Sequence, residues 1–113
     1  MSTPELNQTI AHQATVFAAL GDATRLQLIQ RLSTGESLSI KKLRHGLSIS
    51  RQGVTKHIKV LEQAGILVRK RQGREQHFMI LPKSIQQAED YLSKVSQQWD
   101  DALQRLQDFV EPH

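Results

Sequence analysis

Between residues 22 and 65 the chain is punctuated three times in the same manner: a side chain able to cap a helix, a short amphipathic run, then a glycine. Asp22 leads into Leu26, Leu28, Ile29 and Leu32 and is closed by Gly35; Ser39 leads into Ile40 and Leu43 and is closed by Gly46; Ser50 leads into Val54, Ile58 and Leu61 and is closed by Gly65. Asp and Ser oxygens accept the free N–H groups of a first helical turn, and glycine reaches the left-handed conformation that ends a helix without steric penalty. The pattern predicts three consecutive short helices, the second at Ile40–His45 and the third at Arg51–Ala64, on either side of the tight turn Gly46-Leu47-Ser48-Ile49. Two short helices about such a turn, the second polar on one face, describe a helix-turn-helix.

The flanks complete an architecture. Residues 1–8 are polar and expected to be flexible; Ile10, Ala14, Phe17 and Ala18, flanked by Val16 and Leu20, then recur at helical spacing as far as Gly21. After the helix-turn-helix, Ile66–Arg71 and Glu75–Leu81 are β-prone runs around Gln72-Gly73-Arg74, a connection of hairpin length. Pro82 is expected to break the second strand, and a last helix is expected from Ser84 to Val110, with apolar residues at 85, 88, 92, 95, 99, 102, 106 and 109. Their alternating steps of three and four are those of a helix packed along another helix. The expected fold class is mainly α with a small β-hairpin: four helices, two strands and a long fifth helix, a winged helix-turn-helix.

Charge points to the partner. From Lys41 to Glu75 there are ten Lys or Arg against two acids, Glu62 and Glu75, leaving five against nine elsewhere. A basic segment of this density favours a polyanion, because neutralising phosphates releases condensed counterions. Three Phe, one Tyr and one Trp are too few for the base-stacking platforms of single-strand and RNA binders, so duplex DNA fits better. The absence of cysteine excludes a disulfide framework, thiolate metal sites and thiol catalysis. No apolar run approaches a membrane span and the first residues lack the regions of a signal peptide, so a cytoplasmic protein without membrane contact is expected.

With the inward direction of the third short helix set by Val54, Ile58 and Leu61, about 100° per residue puts Gln52, Thr55, Lys56 and Lys59 on the opposite face. Gln52 can pair with an adenine edge, Lys56 with guanine or a phosphate, and Thr55 with a base, a phosphate or a thymine methyl, while Lys59 lies nearer the backbone. Arg51 projects from the first turn, where Ser50 and the free N–H groups can cap the helix, hold a phosphate or both. His57 lies between the two faces, open to a phosphate contact or to a hydrogen bond within the domain. Arg69, Lys70, Arg71 and Arg74 load the hairpin tip with cations that can follow a phosphate backbone or enter a minor groove, unless they only protect a sheet edge. Lys41, Lys42 and Arg44 form a third basic cluster, and Gly53 is a residue that helices disfavour, allowing close approach of a neighbouring helix or of DNA.

These residues resemble the ArsR family of winged-helix repressors over nearly the whole chain. Ala19-Leu20-Gly21-Asp22-Ala23-Thr24-Arg25 with Leu28 is similar to that family's opening motif, with alanine in place of the usual proline; the run from Ser50 to Leu67 is similar to its recognition segment. The Gly73-Arg74-Glu75 wing and the terminal Trp99, Leu103, Gln104, Arg105 and Leu106 resemble a branch found beside START-like proteins. The resemblance implies a homodimer built through the first and last helices, binding an imperfect inverted repeat, usually as a repressor. Metal-sensing members carry cysteines on the middle short helix, where this chain has Ser39 and Lys41. Others use histidine and carboxylate pairs on the last helix, which has no histidine here; Glu89, Asp90, Asp100 and Asp101 read as solvated, and His12 with His113 makes a poor site.

The reading is a metal-free homodimeric regulator of double-stranded DNA with no cofactor. Residues 9–81 form the DNA-binding unit and residues 82–113 the dimerisation helix and tail. Ile10, Ala14 and Phe17 join Leu92, Val95, Trp99, Ala102, Leu106 and Phe109 in the interface. The effector, a small molecule or a protein, is left open. The alternative is a protein-interaction module that uses the last helix and has lost DNA binding. No nucleophile beside a base, no zinc-protease spacing and no phosphate-cradling glycine loop supports an enzyme.

Overall fold

The computed structural model describes residues 4–111, with side chains from Gln8 to Glu111. The elements run α1 (Pro4–Leu20), α2 (Ala23–Leu32), β1 (Leu38–Ser39), α3 (Ile40–Arg44), α4 (Arg51–Gln63), β2 (Leu67–Gln72), β3 (Glu75–Ile80) and α5 (Pro82–Val110). The three caps act as their residue types dictate: Asp22 accepts from the Arg25 N–H, Ser39 from Lys42 and Ser50 from Gly53. The end of α4 is a Schellman motif, in which Ile66 N–H donates to the Leu61 carbonyl at 3.0 Å and Gly65 N–H to the Glu62 carbonyl at 2.9 Å. Gly65 supplies the required positive φ of 77°, and Leu61 and Ile66 meet as its buried apolar pair.

Two expectations about element ends need correction. The first helix starts at Pro4 rather than near Ile10, a residue whose fixed φ and missing N–H suit a first helical position. Of the residues expected to be flexible, 4–8 are therefore helical and 1–3 lie outside the described residues. For the same reason Pro82 not only ends the strand but opens α5, two residues before Ser84. The sheet also has three antiparallel strands in the order β1-β3-β2, not two. Leu38 pairs with Phe78 and Ser39 with His77, so Ser39 serves both as a strand residue and as the cap of α3.

The core gathers one face of each short helix and the root of the wing: Val16, Leu28, Leu32, Leu43, Val54, Ile58, Leu61, Ile66 and Phe78 are fully buried. Leu26, expected on the buried face of α2, is 51% exposed, and α1 turns Gln13, Val16 and Ala19 inward while Ile10 and Ala14 face outward. Helix α5 packs on this body only near its start, through Ser84, Ile85, Ala88 and the ring of Tyr91, which lies 5.9 Å from that of Phe17. From Leu92 onward it buries no apolar side chain among the described residues, with Leu92, Val95, Trp99, Leu103, Leu106, Phe109 and Val110 all exposed and Ala102 half-buried. The radius of gyration is accordingly 18.7 Å, against about 13 Å for a compact domain of this length.

Candidate nucleic-acid interface

Helix α4 is built to present one face. Val54, Ile58 and Leu61 are buried, while Arg51, Gln52, Thr55, Lys56 and Lys59 are exposed along the other side. The Thr55 hydroxyl donates to the Arg51 carbonyl at 2.9 Å, leaving its lone pairs outward. Ser50 Oγ accepts from Gly53 N–H at 3.0 Å, so it is occupied as a cap. A Cβ at Gly53 would lie 2.8 Å from Ile49 Cγ1, which identifies the close approach there as that of the preceding turn.

The turn before α4 is braced by arginines that sequence spacing did not single out for this task. Arg44 Nε donates to the Ile49 carbonyl at 2.9 Å, and Arg31 donates to the carbonyls of Leu43 and His45 at the end of α3. A guanidinium there satisfies carbonyls that have no helical partner and complements the negative end of the helix dipole.

His57 faces inward. Its Nδ1 lies 3.2 Å from an Arg25 nitrogen and 3.8 Å from Asp22 Oδ2. Arg25 can only donate, so Nδ1 is the acceptor and the ring proton sits on Nε2; the Asp22 contact is too long for a hydrogen bond. Arg25 also donates from Nε to the Ala19 carbonyl, so one guanidinium ties the end of α1 to the middle of α4. Of the two roles left open for His57, the structure shows the hydrogen bond within the domain.

Arg69 lines the groove between α4 and the wing but has a partner within the protein. Its Nε and terminal nitrogen reach the two Glu62 oxygens at 2.8 and 2.6 Å, and its guanidinium sits 5.3 Å from the centre of the Phe78 ring. The Glu62 hydrogen bond raises the Arg69 pKa, so its charge is matched within the protein and it fastens β2 to α4. Arg71 donates to the Gly73 carbonyl at 3.2 Å, and Arg74 occupies the turn itself. That turn has positive φ at Gly73 alone, as in a type II′ connection.

Three basic clusters converge. A groove of about 820 Å³ is walled by Lys41 and Arg44 of α3, Arg51 and Thr55 of α4, and Arg74 and Gln76 of the wing, over an apolar floor that includes Ile58 and Phe78. The exposed polar edge of α4 and the wing tip thus flank one cation-lined channel, able to seat a phosphate backbone while α4 side chains reach base edges.

The Asp22 cap carries a pH consequence. Its carboxyl is held below the ordinary value of 3.8, first by the Arg25 N–H and, against a desolvation that works the other way, by the charge of Arg25. A depressed folded pKa stabilises the fold above the unfolded value, and that stability is lost as pH falls through the folded one. Asp22→Asn is therefore expected to lose less stability than the parent between about pH 7 and about pH 3 in urea titrations; equal losses would remove Asp22 from the acid response.

Comparison with known proteins agrees with this geometry. Residues 20–70 match the model of a helix-turn-helix domain family. An uncharacterized HTH-type transcriptional regulator of Bacillus subtilis, YuzN, is 40% identical over 65 residues, 52% of this chain and 71% of that protein. The arsenic resistance transcriptional regulator ArsR1 of Pseudomonas putida is 30% identical over 87 residues, 74% and 68% of the two chains. Among solved structures, an ArsR-like transcriptional regulator from Rhodococcus sp. RHA1 superimposes with a TM-score of 0.82 at 29% identity, over 94% of this chain and 99% of that one. These relatives are described as transcriptional regulators, and among the described residues no helix is long and apolar enough to cross a membrane. With its helix-turn-helix, three-stranded wing and long final helix, the chain belongs to the ArsR family of winged helix-turn-helix transcriptional regulators.

Proposed function

We propose that the protein is a homodimeric repressor that binds an imperfect inverted repeat in duplex DNA without a metal ion. The observation that carries this is the pairing of two surfaces: a basic channel between α4 and the wing, and an unpacked apolar row on α5. The first suits one half-site, and the second suits a second copy. A structural neighbour of the same fold, from Mycobacterium bovis, is described as a homodimeric winged helix-turn-helix domain. The chain has no cysteine, and among the described residues no three His, Asp or Glu side chains cluster as a metal would require; His113 lies outside them.

Gln52, Thr55 and Lys56 read bases; Ser50, Arg51, Lys59, Arg71 and Arg74 position the backbone. Gln52→Ala and Lys56→Ala are expected to relax sequence preference, whereas Arg74→Ala weakens all duplexes alike and lowers the salt slope by about one. Arg69→Ala is expected to loosen the wing without that change in slope. Footprinting and salt titration on the DNA upstream of the protein's own gene test the whole reading. One protected, roughly palindromic site with salt-dependent affinity is expected. A dimer with no affinity for any duplex would favour a protein-interaction module.

A further inference from the structure

We propose that the groove between α1 and α5 binds a small zwitterion of the amino-acid class, and that its occupancy alters DNA affinity; the second half rests on the function proposed above. The groove has a volume of about 480 Å³ and is lined by His12 and Gln13 of α1 and by Gln87, Asp90, Tyr91 and Lys94 of α5. That size is typical of sites for small molecules.

Its chemistry is unlike that of a packing defect. Gln13 is only 4% exposed, yet its Oε1 has no hydrogen-bond partner. Its neighbours on the buried face of α1 are Val16 and Ala19, so leucine would serve packing better. A buried amide oxygen left unmatched is destabilising. The terminal torsion of glutamine is soft enough to turn that amide toward the groove. A ligand N–H would supply the missing donor.

The opposite wall specifies charge. Asp90 and Lys94 stand one helical turn apart, and Asp90 accepts a hydrogen bond from Gln86 at 3.1 Å. Among the described residues the two form no ion pair with each other. A carboxylate and an ammonium one helical turn apart on one wall match a ligand with the reverse dipole, its ammonium toward Asp90 and Gln13 and its carboxylate toward Lys94. The Tyr91 ring offers a π face to the same ammonium. The groove joins the body to the helix proposed to pair with a second copy, so a ligand there fixes the angle between reader and dimer.

The test is calorimetric titration of the full-length protein with each common L-amino acid singly. Saturable binding of at least one, one per protomer, is expected, with a change of about fivefold or more in operator affinity. Gln13→Leu and Lys94→Gln should each weaken that binding by about tenfold or more. Gln13→Leu should also raise the thermal midpoint and preserve the dimer. No binding by a protein that still holds its operator would overturn the proposal, as would binding indifferent to both variants or an operator affinity that the ligand leaves unchanged. A dimer dissociated by Gln13→Leu would also overturn it, by showing that the amide faces the second copy. Ligand binding abolished by the variants in a protein with no duplex affinity would sustain the site and defeat the DNA-binding function instead.

Discussion

Leu106→Glu is expected to turn a dimer into a monomer and to lower operator affinity by about 100-fold or more. Leu106 is 58% exposed on a protomer, in line with Val95, Trp99 and Phe109 along an exposed stretch of α5. Burying one leucine is worth about 1.5–3 kcal/mol. A two-fold interface counts each substitution twice, which makes about 3–6 kcal/mol, or roughly 10²–10⁴ in the dimer dissociation constant. Two carboxylates brought together add to the loss. The protomer itself should keep its thermal core, because glutamate is a good helix former and position 106 is exposed, away from the buried core. Equilibrium sedimentation and gel-shift titration measure the two effects. An unchanged dimer would remove this row from the interface.

Phe78→Ala is expected to be the most destabilising single truncation in the wing. Phe78 is 1% exposed, pairs across to Leu38 on one side and Arg69 on the other, and carries the Arg69 guanidinium over its ring. Emptying such a position costs about 3–5 kcal/mol. Domains of this size are stable by only about 5–15 kcal/mol. The thermal midpoint should fall by about 15 °C or more, followed by circular dichroism. Phe78→Leu keeps most of the volume and should recover most of the loss; a loss as small for alanine as for leucine would show that the ring is not what closes the sheet.

The parts of this fold that were legible in sequence are those set by local chemistry. Asp22, Ser39 and Ser50 announce helix starts because a short oxygen-bearing side chain is useful there, and Gly65 announces an end because the left-handed turn admits little else. The outward edge of α4 was equally readable, because a single apolar stripe fixes the rotation of a helix. Strand β1 was not, since two residues are too few to show an alternating pattern and its pairing is decided by Phe78 and His77, distant in sequence. Helix α1 carries apolar residues on two faces, so periodicity could not say that Val16 enters the core while Ile10 and Ala14 stay outside. His57 was left open between a phosphate and a hydrogen bond within the domain, and Arg69 was assigned to DNA by residue type. Their actual partners, Arg25 and Glu62, are 32 and 7 positions away, and no local signal connects them.

The attachment of α5 has a mechanical side. The helix is held to the body through Ser84, Ile85, Ala88 and Tyr91, all within its first three turns. From Ala88 to Val110 it extends about 33 Å at helical rise. It is thus a lever with its fulcrum at one end: a tilt of about 5° at Ala88 sweeps the far end through about 3 Å, close to the rise of one base pair at about 3.4 Å. If the far ends of two such levers are clasped together, the tilt appears instead as motion of the two DNA readers. A change too small to disturb any core contact can then move them out of step with successive turns of the duplex.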